Sequence, residues 1–378
     1  MKRVLFYVDS GGATGGPGMH SVRIWRALKE KQPELVGPLV VPGTRDELSI
    51  FGAQIGEENL RPLGVAALVD DAADPVVVEE RFYARLCELA RREGCDHVHV
   101  LWGFVHPAQI DRVAPRHRLP VTITLCDASA RGEESDVDAM FFGSDRWERY
   151  LRETLRAPLG YLAISDKTHS DALAQGVHPA HVETVHLWVD PKLAELRGAN
   201  VGDYVAYVGG LAEYKGIGHV LDFAVAYPEY PIKVAGYPTL DFPIDWKRYP
   251  SVEHLGYVPY ADLVRMMSRA RALLYLSYSE GFGLPMIEAQ VLGVPLVVNP
   301  RNAMVRELLA RGSYVSAGNV ASPTSIKAAI DVATRDRAEL VSRGVENAAR
   351  FDEAQKLVEL ERAMRKHHTR LVEGGFAR

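Results

Sequence analysis

The 378-residue chain has no apolar run near the roughly 20 residues that a bilayer crossing requires. It is not expected to span a membrane. Cysteine is scarce: Cys87, Cys95 and Cys126 are the only three, and their spacing matches neither a disulfide framework nor a zinc site. No metal site is expected, and the reducing cytoplasm fits, with a peripheral position at the inner membrane face as a further option. An excess of positive charge is missing too. The 44 Lys and Arg face 49 Asp and Glu, so the broad electrostatic footprint of a nucleic-acid-binding protein is absent. The N-terminal run Val4 to Val8 is cut short by Asp9 and Gly11-Gly12. It is too short for the apolar core of a signal peptide and reads as a first strand.

What is present points to two soluble domains. Hydrophobic residues make up 47% and charged residues 25% of the chain, and its length suits two units of about 150 to 200 residues. Short β-rich runs alternate with amphipathic stretches, the pattern of parallel sheets covered by helices on both faces, so the fold class is α/β. Strands are expected near Val4 to Val8, Leu39 to Val41, His97 to Leu101, Val121 to Leu125, Tyr161 to Ile164 and Val182 to Val185, with helices over His20 to Lys31 and Glu79 to Arg92. A second series follows the turn-rich Arg197 to Gly202: Tyr204 to Val208, Ile232 to Ala235, Val252 to Leu255, Ala272 to Leu276 and Pro295 to Val298. The boundary is therefore expected between Asp190 and Asp203, giving domains 1–190 and 191–352. After Asp352, apolar residues recur at helical spacing to Gly374-Gly375, predicting a terminal helix over 353–378.

The most informative segment is Ser279-Glu280-Gly281-Phe282-Gly283-Leu284-Pro285-Met286-Ile287-Glu288-Ala289. A glycine-flanked turn leads from a strand into a helix, with Pro285 at its expected first position. Such a helix start offers backbone N–H groups and the positive dipole end to a phosphate. Gly281 and Gly283 let a ligand approach the main chain. Glu280 and Glu288 bracket the helix mouth, and carboxylates suit the hydroxyls of sugar and ribose better than a diphosphate. A second glycine-rich loop, Ser10 to Gly18, also lies between a strand and a helix, which suits an anion. It lacks the dinucleotide fingerprint, and the second strand ends at Pro42-Gly43 without the acidic residue that a nicotinamide enzyme would place there.

Glu280-Gly-Phe-Gly-Leu-Pro followed by Glu288 resembles the Glu-x7-Glu signature of the family 4 retaining glycosyltransferases, glycosyl transferase group 1. The similarity extends through Val252 to Val258, Ser277, Gly293 to Val298, Val208-Gly209-Gly210-Leu211 and Lys215-Gly216. The resemblance implies a GT-B fold: two Rossmann-like domains facing each other, the acceptor on the first, the donor on the second, and a terminal helix returning to the first. It implies metal-independent transfer with retention, using a UDP- or GDP-type nucleotide-diphosphate sugar as co-substrate and no cofactor. The acceptor hydroxyl would belong to a glycan, a lipid-linked sugar or a small natural product. By the family's pattern Glu280 contacts the donor sugar, the main chain from Gly281 through Phe282 and Gly283 to Leu284 the phosphates and sugar, Glu288 the ribose, and Lys215 the diphosphate. Gly15 and Gly16 would face the diphosphate from the first domain. Glu280 and Lys215 are the candidate catalytic pair.

Three features depart from that pattern. Gly210 stands where the family has an arginine that shares the diphosphate charge, leaving Arg301 or Arg23 to compensate. Cys126-Asp127 replaces His-Asp, and Leu187-Trp188 replaces Asn-Gly, which suggests an unusual sugar-facing pocket. Trp102, His106 and Asp127 are candidate acceptor contacts, since sugars pack on aromatic faces and bond to imidazole. Glu133, Glu134, Asp136 and Asp138 form either a solvated loop or a surface for a basic acceptor. A phosphorylase or sugar-nucleotide epimerase on the same architecture, or a catalytically weak nucleotide-binding scaffold, are the alternatives.

Overall fold

The computed structural model describes residues 1–8, 16–43, 45–64, 75–102, 113, 116–117, 119–126, 128, 155, 159–198, 201–237 and 242–374. They fall into two compact units. The first contains the described residues up to Ala128, those from Leu155 to His186 and those from Ala354 on; the second runs from Leu187 to Glu353. Among the described residues no helix is long and apolar enough to cross a membrane.

The first unit is a parallel seven-stranded sheet built from β1 (Val4–Val8), β2 (Val36–Val41), β3 (Leu60–Pro62), β4 (His97–Trp102), β5 (Val121–Leu125), β6 (Gly160–Ala163) and β7 (Val182–Thr184). Their spatial order is β3-β2-β1-β4-β5-β6-β7. Helices α1 (Gly16–Lys31), α2 (Arg45–Ile55), α3 (Pro75–Arg92) and α4 (Asp166–Ala174) connect them. Every residue of β1 and β2 is buried, as the continuous apolar runs of a sheet covered on both faces require. Ser165 starts α4 by accepting a hydrogen bond from the Thr168 N–H at 3.0 Å.

The second unit is a parallel six-stranded sheet of β8 (Val205–Val208), β9 (Ile232–Ala235), β10 (Val252–Gly256), β11 (Leu273–Tyr275), β12 (Leu296–Val298) and β13 (Val315–Ser316) in the order β10-β9-β8-β11-β12-β13. Its helices are α5 (Ile217–Ala226), α6 (Tyr260–Ser268), α7 (Leu284–Leu292), α8 (Ala303–Leu308), α9 (Pro323–Arg335) and α10 (Arg337–Ala348). Chain order reverses between β8 and β11, and in open parallel sheets ligands bind outside the carboxyl ends of the strands at that switch point.

The last helix, α11 (Glu353–Glu373), returns to the first unit. Leu357, Leu360, Met364, His367, His368 and Leu371 form its buried stripe. Arg370 donates to the Leu159 carbonyl at 2.7 Å, Arg365 to that of Met1 at 2.8 Å, and Lys366 pairs with Glu183. Trp188, expected near a sugar pocket, is instead a core residue 1% exposed, with its indole N–H directed to Glu353 at the start of α11. A side chain so enclosed has no face left for a sugar.

Candidate active site at the switch point of the second unit

β8 ends in Gly209-Gly210, and the chain then makes a short turn over Glu213–Lys215 before α5. Gly216 closes that turn with φ 74°, and a Cβ there would lie 2.5 Å from the Leu276 carbonyl. Glycine thus lets the Lys215 loop press against the end of β11. One more contact ties the loops together: the Tyr278 N–H donates to the Tyr214 carbonyl at 2.8 Å, while the Ser277 hydroxyl, 3.4 Å from that oxygen, has a nearer acceptor in the Ser279 carbonyl at 2.9 Å. From the other side Asn302, the cap of α8, donates to the Ser277 carbonyl at 3.1 Å, and Asn299 to that of Leu276 at 3.4 Å.

The loop then reverses into α7. Gly283, at φ 100°, is its left-handed N-cap, so Leu284 opens the helix and Pro285 takes the second position rather than the first. The Phe282 ring is buried edge-on against Phe351, which anchors the turn. Pro285 has no N–H, and that of Met286 bonds back to Gly283. The amides of Gly281, Gly283 and Leu284 make no hydrogen bond among the described residues. These are the donors a phosphate would meet at the dipole end.

Opposite them, the Lys215 ammonium pairs with the Glu280 carboxylate at 2.5 Å, both side chains mostly buried. Burial alone would depress the Lys215 pKa, but the Glu280 charge and hydrogen bond outweigh it and the pKa is raised. The ammonium is therefore charged at neutral pH. The pair opens on a pocket of about 60 Å³, lined also by Tyr207, Gly209, Tyr275, Ser277 and Pro285. That volume exceeds the space of a single water several-fold. The Tyr207 hydroxyl donates to the Gly210 carbonyl at 2.9 Å and lies 3.3 Å from that of Lys215, fixing the loop that carries the lysine. Glu288, one turn inside α7 and 5% exposed, accepts from the Tyr260 hydroxyl at 2.8 Å.

The structure thus brings Lys215 and Glu280 to one pocket with Pro285 of α7, and places Gly281, Phe282, Gly283 and Leu284 in the turn and helix start that join Glu280 to Pro285. Glu288 lies behind that turn against α6. Arg301 is exposed in the turn after β12. Gly16 opens α1, Arg23 is half-buried within it, and Trp102 is half-buried at the end of β4, all in the first unit. Gly15, His106, Asp127 and the acidic stretch Glu133 to Asp138 lie outside the described residues. Sequence reasoning missed Tyr207, Tyr260 and Tyr275, which look like ordinary strand and helix aromatics until their hydroxyls are located.

Residues 197–354 match the model of the family described as Glycosyl transferases group 1. O-antigen chain mannosyltransferase B of Escherichia coli is 30% identical over 174 residues, which cover 40% of this chain and 45% of that protein. The chain thus spans about half the length of this curated relative. HepE of Anabaena, solved with UDP and glucose, superposes with a TM-score of 0.73 at 15% identity, covering 96% of this chain and 99% of that one. Sucrose-phosphate synthase of Thermosynechococcus elongatus superposes at 0.69 with 14% identity over 96% and 98%. These likenesses show the fold: two Rossmann-like domains of the GT-B type with a C-terminal helix.

Proposed function

We propose that this protein is a retaining, metal-independent glycosyltransferase that moves a sugar from a nucleotide diphosphate to an acceptor hydroxyl. The observation that carries this reading is the Lys215–Glu280 pair facing the mouth of α7 at the switch point, inside the stretch that matches the group 1 glycosyl transferase model. Lys215 and the amides of Gly281, Gly283 and Leu284 bind the diphosphate and stabilise the charge that grows on it as the sugar leaves. Glu280 holds the sugar hydroxyls, and Glu288, already bonded to Tyr260, holds the ribose. The acceptor is taken by residues of the first unit, with Trp102, His106 and Asp127 as candidates, and its hydroxyl attacks from the face that the nucleotide leaves. The name of the E. coli relative favours a mannosyl donor and a glycan acceptor; the donor is of the UDP or GDP type.

A panel of labelled sugar nucleotides, with mannose nucleotides first, tests this directly. Transfer with the anomeric configuration of the donor, undiminished by a chelator, is the expected result. Calorimetry separates the two glutamates. Glu288→Gln should weaken UDP or GDP binding by about 1.5 to 3 kcal/mol, the worth of a charged hydrogen bond, whereas Glu280→Gln should keep that affinity and slow transfer. A protein that binds neither nucleotide and transfers no sugar contradicts the reading.

A further inference from the structure

Lys215 cannot serve two anions equally. Its ammonium is engaged by Glu280 at 2.5 Å, and a diphosphate at the mouth of α7 competes for the same protons. When the lysine turns to the phosphates, Glu280, whose side chain is 11% exposed, is left as a largely buried carboxylate in need of a donor. The Tyr275 hydroxyl is placed to be that donor. Tyr275 ends β11 and lines the same pocket as Lys215 and Glu280. The residue is 5% exposed, and its hydroxyl makes no well-aligned hydrogen bond among the described residues, although the Glu280 carboxylate is close enough to act on it as an acceptor. A Cβ added to Gly283 would lie 2.7 Å from that oxygen, so the hydroxyl sits against the main chain at the helix mouth.

A buried hydroxyl without a well-aligned partner is unfavourable by about 1 to 3 kcal/mol, and phenylalanine would fill the same space without that cost. Packing therefore does not explain the oxygen. Burial first, and then the charge and hydrogen-bonding pull of Glu280, push the phenol well above its ordinary pKa, so it stays protonated and able to donate to that carboxylate.

We propose that Tyr275 is a positioning residue that takes over the Glu280 carboxylate as hydrogen-bond donor when Lys215 is drawn to the diphosphate. Glu280 then stays aimed at the transferred sugar while the lysine neutralises the leaving group. This rests on the donor-site reading above.

The test is a double-mutant cycle on the full chain, with Tyr275→Phe, Glu280→Gln and the double variant titrated calorimetrically with UDP and with GDP. Tyr275→Phe should melt at or above the ligand-free wild-type temperature yet bind the nucleotide about ten- to a hundredfold more weakly, the worth of one charged hydrogen bond. In the Glu280→Gln background the same change should have almost no effect, because no carboxylate is left to hand over. Equal affinity of Tyr275→Phe and wild type overturns the handover. So does an equal loss in both backgrounds, which would make the hydroxyl a direct ligand contact, and so does a lower ligand-free melting temperature without coupling, which would assign it to packing. A wild type that binds neither nucleotide is a separate failure: the donor-site reading itself falls, and the handover with it.

Discussion

Both sheets bury polar side chains, but those of the first are neutral and those of the second charged. Between β4, β5 and α11 of the first unit lies a layer of imidazoles. His97 Nε2 and His99 Nδ1 both lie 2.8 Å from the Thr122 hydroxyl oxygen, His99 Nε2 lies 3.1 Å from that of Thr124, and His97 Nδ1 meets His368 Nδ1 at 3.3 Å. Thr122 has one proton to give, so at least one of its two histidines donates to it. Burial holds these rings neutral, with His99 and His367 driven down to about 3 and His97 well below its usual value. At the switch point of the second unit the buried groups are instead charged, and their pocket includes an oxygen with no well-aligned partner. The imidazole layer leaves an atom unpartnered as well, His367 Nε2, so what sets the second unit apart is charge beside a pocket, which suits a ligand, whereas neutral rings packed between strands and a helix specify packing.

The comparison is broken hardest at the glycines that hold each network together. A Cβ on Gly236, at φ 154°, would lie 1.8 Å from the Gly209 carbonyl, a backbone atom at the rim of the pocket. In the first unit a Cβ on Gly160 would meet His367 Cγ at 2.6 Å and Thr122 Cγ2 at 2.7 Å, side-chain rather than backbone atoms and at longer range. Gly236→Ala should therefore destabilise by more than about 3 kcal/mol, beyond the usual range for overpacking, and Gly160→Ala by less. Melting temperatures of the two variants check the order, and the reverse order would mean that α11 is seated more rigidly than the donor loops.

Acid should separate the two units next. His99 and His367 titrate near 6.5 when unfolded and near 3 when folded, so the unfolded chain binds more protons throughout that window. Their neutral form supports the fold fully above pH 6.5, and that support is lost progressively as pH falls toward 3. Each contributes a slope of up to about 1.4 kcal/mol per pH unit. Amide hydrogen exchange between pH 7 and 5 should show β4, β5 and α11 losing protection before β8 and β11. Simultaneous loss in both units would show that the imidazole layer does not govern acid stability.

The functional side of the contrast is sharpened by pairing two substitutions. Lys215→Met removes the cation of the pocket at the switch point and, on the proposed donor-site reading, should weaken UDP or GDP binding by about a hundredfold, near the upper worth of a charged hydrogen bond. His99→Gln disturbs the neutral imidazole layer of the first unit and should leave that affinity unchanged, whatever it does to the melting temperature. Calorimetry on both variants decides whether buried polarity in the first unit is structural alone.

Much of this frame was legible in the chain itself. Val4–Val8, Val121–Leu125 and Ile232–Ala235 were readable to the residue because each is a compact β-forming run beside clear turn or charge signals. β3 and β13 were not, since Leu60–Pro62 and Val315–Ser316 are too short to set up an alternation. The signature from Glu280 to Glu288 gave the helix mouth its place, and the resemblance named Lys215 beside it, but nothing along the sequence foretold the ion pair between the two, 65 positions apart. Tyr275 was hidden for another reason. Within the apolar run Ala272 to Leu276 a tyrosine reads as core, and the place of its hydroxyl is visible only once Gly283 and Glu280 are folded around it. The imidazole layer was hidden likewise, because His97 and His99 continue a strand pattern and their partners arrive from α11.

The smallest expected effect runs in the favourable direction, at the position where this chain departs from the family it resembles. Gly210 carries no cation to share the diphosphate with Lys215, yet a Cβ built there meets nothing within 4 Å, and its φ is not among the positive ones. Neighbouring Gly209, at φ 149°, would be strained by any side chain. The loop is also held from behind, since Tyr207 bonds the Gly210 carbonyl rather than anything a side chain would displace. Gly210→Arg should therefore fold like the wild type and tighten UDP or GDP binding by about tenfold, the lower worth of one charged hydrogen bond, with a steeper dependence on salt. Gly209→Arg should lower the melting temperature and bring no such gain. If Gly210→Arg binds nucleotide no better, then another cation already neutralises the diphosphate, and a nucleotide complex of the wild type should find Arg301 or Arg23 against the phosphates.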